Sequence, residues 1–335
     1  MLTNEEILSG RSGIPVTVLT GFLGSGKTTL LNKLLGSEAA ARTAVLVNEF
    51  GDVGIDHLLL EKVDDTVSLL SEGCLCCAVQ GDLVHALRKL LVGRLRGELP
   101  PFERVVIETS GLADPVPVLH TLVVDPLLLE RFRMQCVVTV ADAGAIEDQV
   151  ARFPEAGRQL AYADRIVVSK LDVAPAGRFA ELRESLRPIS PRADIHTAAQ
   201  ALGDLEAIFG EAAFDPRTAS TAIRSWIAEP VDAEITHPHT QALATFTLTR
   251  EEPVSWERFN AWMQSLLAEK GEGILRVKGL LRVEGQPPVV IHGVQHVFYP
   301  AGLLDRWPDG SARSTLVFIT QGIDGDEIGR AFRAL

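Results

Sequence analysis

An α/β fold, in which a mostly parallel sheet is flanked by helices and followed by a small α+β domain, is predicted by three observations. Apolar, β-branched runs alternate with helix-like stretches from Val16 to about Phe209, the order expected of a parallel sheet built from strand–helix–strand units. Directly behind the first run, Gly21, Gly26, Lys27 and Thr28 satisfy the spacing G-x-x-x-x-G-K-[ST], the mark of a P-loop NTPase. Beyond Gly210 the chain is broken by Pro216, Pro230 and Pro238 before strand-like segments resume, which sets a second domain apart. The expected division is residues 1–212 for a nucleotide-binding domain carrying a cysteine-rich loop, 213–240 for a linker and 241–335 for the small domain.

Val16 to Thr20 supplies the first strand, and the glycine-rich turn behind it opens into a Leu-rich helix. In such a turn the backbone N–H groups point inward, and the helix start adds four unpaired donors with a favourable dipole. That makes a phosphate cradle. Its candidate cofactor-binding residues are Gly21, Gly24, Ser25, Gly26, Lys27, Thr28 and Thr29. Lys27 is expected on the β- and γ-phosphates, and the Thr28 hydroxyl on Mg²⁺. A chance glycine turn would not need strand, turn, Lys-Thr and amphipathic helix in this order.

Thr43 to Val47 reads as a second strand, apolar on both faces as parallel sheets require. It runs into NEFGDVGID, Asn48 to Asp56, whose two glycines and three acids suit a loop beside the nucleotide better than a helix or strand. Cys74, Cys76 and Cys77 then form a C-x-C-C cluster ahead of a helix from about Asp82 to Leu95. Three thiols this close converge only if the chain turns at Cys76 and Cys77, which leaves room for a ligand from elsewhere. Thiolates favour Zn²⁺, Co²⁺ or Cu(I) over hard cations, and fewer than four protein ligands leave an exchangeable position suited to transfer. The plain alternatives are small buried hydrophobes or a redox pair. Cys136, within CVVTV, reads as core.

Arg104 to Ile107 is the third strand, closed by Glu108 and followed by ETSGLADP. Ligands of open α/β sheets bind at this edge. Glu108 is therefore the expected partner of Mg²⁺, and Gly111 can bring its N–H to the γ-phosphate. Lys27, Glu108 and Gly111 form the candidate catalytic set. Pro115 is expected in the first turn of a helix. Two further strands follow, Val137 to Val140 with Asp142 behind it, and Arg165 to Val168 leading into SKLD. Asp172 can accept both N1–H and N2–H₂ of guanine while the Lys170 stem packs along the ring. Adenine offers no such pair, so GTP is expected over ATP. A helix (Pro175 to Arg187), a strand (Asp194 to Thr197) and a helix (Leu202 to Phe209) end the first domain.

His237 and His239 fall in the proline-broken linker and read as exposed loop. The remainder alternates strand-like and helix-like segments, with Trp256, Phe259, Trp262 and Met263 at helical spacing as core. His292 and His296 lie four apart in an expected strand, on one face.

Composition excludes some function classes. A net charge of -12 argues against a nucleic-acid partner, which needs a basic face. No stretch is long and uncharged enough to span a bilayer, and the first residues contain no apolar signal-peptide core. Four cysteines, three of them packed together, point to a metal or redox site in a reducing compartment. The expected location is the cytoplasm, with no membrane partner.

With these motifs in order, GFLGSGKTT, NEFGDVGID, GCLCC, ETSGLADP and ADRIVVSKLD, the chain resembles the CobW-type GTPases, metal chaperones and metal-insertion proteins of the P-loop superfamily, over nearly its whole length. The resemblance implies that Cys74, Cys76 and Cys77 bind a transition metal, zinc or cobalt, with Glu49 as a further ligand or a group on the Mg²⁺ side. It also implies Mg²⁺-GTP binding, slow hydrolysis, a switch at the acidic loop, and delivery to a client metalloprotein or metal-insertion complex. Two departures are visible. Ser169 stands where the family's guanine motif has Asn, and only His237 and His239 occupy the region where many relatives are histidine-rich. The rival readings are a metal or redox sensor that nucleotide merely stabilises, and a GTPase serving RNA, against which acidity and the cysteines both count.

Overall fold

The computed structural model describes residues 13–37, 42–48, 79–191, 193–209, 233–235, 243–299, 301–308, 310 and 312–335. They form two compact units, each built on its own sheet.

The first unit runs β1 (Ile14–Thr20), α1 (Lys27–Leu35), β2 (Thr43–Asn48), α2 (Val79–Arg96), β3 (Arg104–Thr109), α3 (Val116–Val124), α4 (Pro126–Arg131), β4 (Phe132–Asp142), α5 (Ile146–Arg152), α6 (Pro154–Ala161), β5 (Arg165–Ser169), α7 (Arg178–Leu186), β6 (Asp194–Thr197), α8 (Ala198–Gly203) and α9 (Leu205–Phe209). The six strands are parallel in the order β2-β3-β1-β4-β5-β6. The chain leaves β3 on one side of β1 and returns as β4 on the other. The carboxyl end of β1 therefore sits at the point where strand order reverses, the usual place for a ligand in an open α/β sheet.

The strand bodies are apolar because both of their faces are covered: Val18, Leu19, Val105, Val106, Ile107, Val138 and Ile166 are fully buried. Helices meet the sheet along one stripe, as α1 does with Leu30, Leu31, Leu34 and Leu35. Local signals fix several starts. The Asp125 carboxylate accepts from the N–H groups of Leu127 and Leu128 at 3.0 Å, capping α4, and Thr197 and Gln200 form a capping box on α8. Strand β4 is longer at both ends than the expected Val137 to Val140, and three other boundaries differ for a visible reason. Helix α7 begins at Arg178 rather than Pro175, because the chain first makes a turn through Gly177, whose φ is 86°. The expected last helix is two, α8 and α9, broken at Asp204, which caps the second by accepting from Ala207 N–H at 2.9 Å. Pro115 lies just outside α3 as its cap, with Pro117 inside the first turn.

The second unit contains β7 (Ala233–Ile235), β8 (Leu243–Arg250), α10 (Trp256–Lys270), a 3₁₀ turn (Gly271–Gly273), β9 (Ile274–Leu281), β10 (Val289–Val294), β11 (Val297–Phe298), β12 (Gly302–Leu303), β13 (Ser314–Gln321) and α11 (Gly325–Arg333). Its antiparallel order is β11-β10-β9-β13-β8-β7, with β12 on β10. Within the stretch expected as linker, Ala233–Ile235 pairs with β8. Alternate residues Leu316, Phe318, Val277 and Ile291 share one apolar cluster with Phe259, Met263, Ile328 and Phe332 of the two helices. Trp256 and Trp262 pack at its margin, so the helical aromatics are core, as read from the sequence. The expected histidine pair is not on one face. Gln295 takes a left-handed conformation (φ 48°) that ends β10, and His296 lies in the turn before β11 while His292 stays buried in the strand. Among the described residues no helix is long and apolar enough to cross a membrane.

Candidate nucleotide site

The loop between β1 and α1 turns on glycines. Gly21 has φ 141°, and a methyl group on it would run into the Val140 carbonyl of β4, so the loop's close approach to the neighbouring strand admits no side chain. Gly24 and Gly26 also have positive φ, at 70° and 96°. Lys27, at the first position of α1 and almost wholly buried, donates from Nζ to the carbonyls of Gly21 at 2.9 Å and Phe22 at 3.2 Å. These bonds fold the ammonium back over the loop. Ser25 is buried, and Thr28 and Thr29 are exposed in the first turn.

Three ties bring the other strand ends to this loop. The Thr28 hydroxyl donates to Glu108 Oε1 at 2.8 Å across 80 residues of sequence, and Glu108 is only 5% exposed at the end of β3. One step along, the Thr109 hydroxyl donates to that of Thr20 at 2.9 Å, joining the ends of β3 and β1. The Ser169 hydroxyl at the end of β5 donates to the Ser25 carbonyl at 2.6 Å and to Ala141 at 3.3 Å. The departure at Ser169 therefore retains a side chain that holds the phosphate loop to the strand carrying SKLD.

Behind Ser169, Lys170 has φ 56°, a left-handed conformation that costs an ordinary residue on the order of 1 kcal/mol. Its exposed ammonium pairs with Asp142 Oδ2 at 2.7 Å, so Asp142 is a partner of the motif that strand spacing alone did not reveal. Asp172 is exposed two residues on. On the other flank, Gly111 lies against the phosphate loop: a Cβ there would stand 2.8 Å from both N and Cα of Leu23. Asp114 accepts from Val116 N–H at 2.9 Å and lies 3.8 Å from Arg158. Burial pushes its carboxyl above the ordinary value, against the opposing pull of the Val116 hydrogen bond and the Arg158 charge.

The fold thus gathers Gly21, Ser25, Gly26, Lys27, Thr28, Glu108 and Gly111 at one strand edge, with Ser169 and Lys170 adjoining. A hydroxyl and a carboxylate 2.8 Å apart beside a phosphate loop are hard oxygen donors of the kind Mg²⁺ takes. Glu49, Cys74, Cys76 and Cys77 lie outside the described residues, as do His237 and His239. Cys136, the remaining cysteine, is 1% exposed in β4 and belongs to the core, as expected. Sequence reasoning missed Thr20, Thr109 and Gln159. The last of these is a buried polar residue on α6, and the one local hint was a polar side chain in the stripe of that helix facing the sheet.

Comparison with known proteins agrees with this geometry. Residues 15–197 match the CobW/HypB/UreG nucleotide-binding domain, and residues 243–335 the cobalamin synthesis protein CobW C-terminal domain. The zinc chaperone YjiA of Escherichia coli is 34% identical over 325 residues, spanning 96% of this chain and 98% of its own. Zinc-regulated GTPase metalloprotein activator 1 of Schizosaccharomyces pombe is 30% identical over 318 residues, or 85% and 76% of the two chains. The crystal structure of Zn(II)-bound YjiA GTPase from Escherichia coli aligns with a TM-score of 0.70 at 31% identity, covering 96% of this chain and 98% of that one. The likeness read from the motifs is borne out, and the chain belongs to the CobW/HypB/UreG family, with that family's nucleotide-binding domain followed by a CobW C-terminal domain.

Proposed function

We propose that this GTPase is a cytoplasmic metallochaperone: it binds a transition metal ion at Cys74, Cys76 and Cys77, with Glu49 as a further ligand, under the control of guanine nucleotide, and releases it to a client metalloprotein. The observation that carries the nucleotide half is the Thr28–Glu108 hydrogen bond of 2.8 Å beside the glycine loop. Supporting the metal half are the thiolate chemistry of C-x-C-C and the zinc-named relatives. Zinc is the first choice, because thiolates hold it without redox chemistry, and cobalt the second.

Backbone N–H groups of residues 21–28 cradle the phosphates, and Lys27 turns from the loop carbonyls to the β- and γ-phosphate oxygens. Thr28 and Glu108 would hold Mg²⁺, which supplies positive charge to the phosphate oxygens. Gly111 faces the γ-phosphate with its N–H. Asp172 reads the guanine edge, and the Lys170 stem lies along the base with its ammonium fixed by Asp142. Slow hydrolysis is the expectation, because neither GFLGSGKTT nor ETSGLADP contains an arginine to neutralise the transferring phosphoryl group. The γ-phosphate draws the segments at Glu49–Asp56 and Glu108–Gly111 together, tightening the cysteine site, and its loss loosens it. Moving that site from mostly open to mostly closed needs GTP to favour the closed state by about 5 kcal/mol.

Zinc and cobalt titrations with a non-hydrolysable GTP analogue and with GDP test the reading. Tighter metal binding with the analogue is expected, and equal affinity would remove the coupling. Substituting Lys27→Ala separates a chaperone, which loses nucleotide-dependent metal release, from a thiol sensor, whose oxidation response would persist.

A further inference from the structure

Gly111 combines two properties that pull against each other. Its contact with Leu23 leaves no room for a side chain, and a residue without Cβ has the widest backbone freedom. A donor that must meet a γ-phosphate in one orientation works best when held in place beforehand. Something outside the loop has to supply that hold.

The α6 residue Gln159, 1% exposed, supplies it. Its Nε2 donates to the Gly111 carbonyl at 3.2 Å and the Ala113 carbonyl at 3.0 Å, so both protons of the amide grip the backbone on either side of Leu112. Its own backbone carbonyl accepts from the Thr139 hydroxyl at 2.7 Å, fastening α6 to β4. At the start of the same helix, Phe153 packs on Phe22 of the phosphate loop with ring centroids 4.9 Å apart. Gln159 Oε1 is buried and has no hydrogen-bond partner among the described residues. A Leu or Met would fill the same space without stranding a carbonyl, so packing does not explain the carboxamide; its two donations do.

We propose that Gln159 is a positioning residue for GTP hydrolysis: its carboxamide fixes the Gly111–Ala113 backbone so that the Gly111 N–H is presented to the γ-phosphate and GTP is distinguished from GDP. The proposal rests on the reading of Gly111 as the γ-phosphate donor.

Gln159→Met keeps length and packing and removes both N–H donors. The full-length variant is expected to lose about tenfold in kcat and about tenfold in the ratio of GTP-analogue to GDP affinity, with GDP affinity within about twofold of the parent. Phe318→Ala is the control for lost stability alone: it removes a buried ring from the antiparallel sheet, touches neither Gln159 nor the Gly111 segment, and should lower Tm while leaving that ratio unchanged. The proposal is overturned if Gln159→Met only lowers Tm, or weakens both nucleotides alike. Should Gln159→Met not fold, amide hydrogen exchange on the unsubstituted protein decides. Residues 111–113 should already exchange slowly with GDP, as should 156–161, and the Gly111 N–H should gain further protection with the GTP analogue; fast exchange of 111–113 with GDP contradicts a rigid brace. A parent protein that binds neither nucleotide would remove the functional reading and this proposal together, whereas unchanged hydrolysis in Gln159→Met removes this proposal alone.

Discussion

The two sheets of this chain sort polar from apolar residues along different axes. In the six-stranded parallel sheet the division runs lengthwise: Val16, Val18, Val105, Val106 and Ile166 are apolar on both faces, and Thr20, Glu108, Thr109 and Ser169 gather at the carboxyl ends. In the antiparallel sheet it runs between one apolar face and one mixed face. Leu316 and Phe318 meet α10 and α11, while the opposite face carries Thr245, Arg276, Lys278 and Thr315 beside the apolar Val317, Ile319 and Leu280, all of them buried. The cause is coverage. Parallel strands with helices on both sides have only their ends left for chemistry, whereas an alternating strand can carry polar groups anywhere along one face. The first arrangement concentrates a site, and the second makes a packing platform.

Substitutions on the two sides should therefore fail differently. Phe318→Ala, which removes a fully buried ring stacked on Phe246 at 5.4 Å, should cost about 3–5 kcal/mol of stability in denaturant unfolding. The folded fraction should keep its guanine nucleotide affinity. Lys27→Ala should show the reverse, with kcat/KM for GTP down about 10²- to 10³-fold and Tm little changed. Ser169→Ala removes the 2.6 Å tie to the Ser25 carbonyl and should cost about 1 kcal/mol, seen as weaker binding of both GTP and GDP. If Ser169→Ala instead altered only guanine over adenine preference, the hydroxyl would be reading the base rather than bracing the loop.

The smallest effect should come from Asp114. Its carboxyl is raised by burial, so its protonated form is favoured in the folded state, and its contribution to stability is full below the ordinary aspartate value and declines as pH rises through the raised one. Asp114→Asn keeps an acceptor for Val116 N–H and loses the Arg158 pair. At pH 7 it should be neutral or stabilising by no more than about 1 kcal/mol, and thermal melts should show the difference from the parent closing toward pH 4. His196 works in the other direction. Burial lowers it, so the stability it contributes is present above its ordinary value and falls away under acid, which His196→Gln should flatten.

What the sequence made legible were features encoded within a few residues. The glycine loop, the apolar strands and Glu108 at a strand end follow from local spacing and propensity. What it hid were bonds across long separations, such as Ser169 to Ser25 over 144 residues, Thr109 to Thr20 over 89, and Gln159 to Gly111 over 48. Those partners are set by the order of strands in the sheet, which no short window contains. The paired histidines failed for a local reason that spacing does not reveal, the left-handed turn at Gln295. The pairing of Ala233–Ile235 with β8 was obscured by prolines on either side, at 230 and 238.

The central claim is that the γ-phosphate and the metal at Cys74, Cys76 and Cys77 favour the same state of the protein. Linkage makes the effect reciprocal. The most direct measurement is the affinity for a non-hydrolysable GTP analogue and for GDP, each with and without Zn²⁺, in the parent and in a Cys74→Ser, Cys76→Ser, Cys77→Ser variant. Zinc should tighten the analogue and leave GDP unchanged in the parent, and have no effect in the variant; the same affinity with and without zinc in the parent, or an undiminished zinc effect in the variant, would contradict the account.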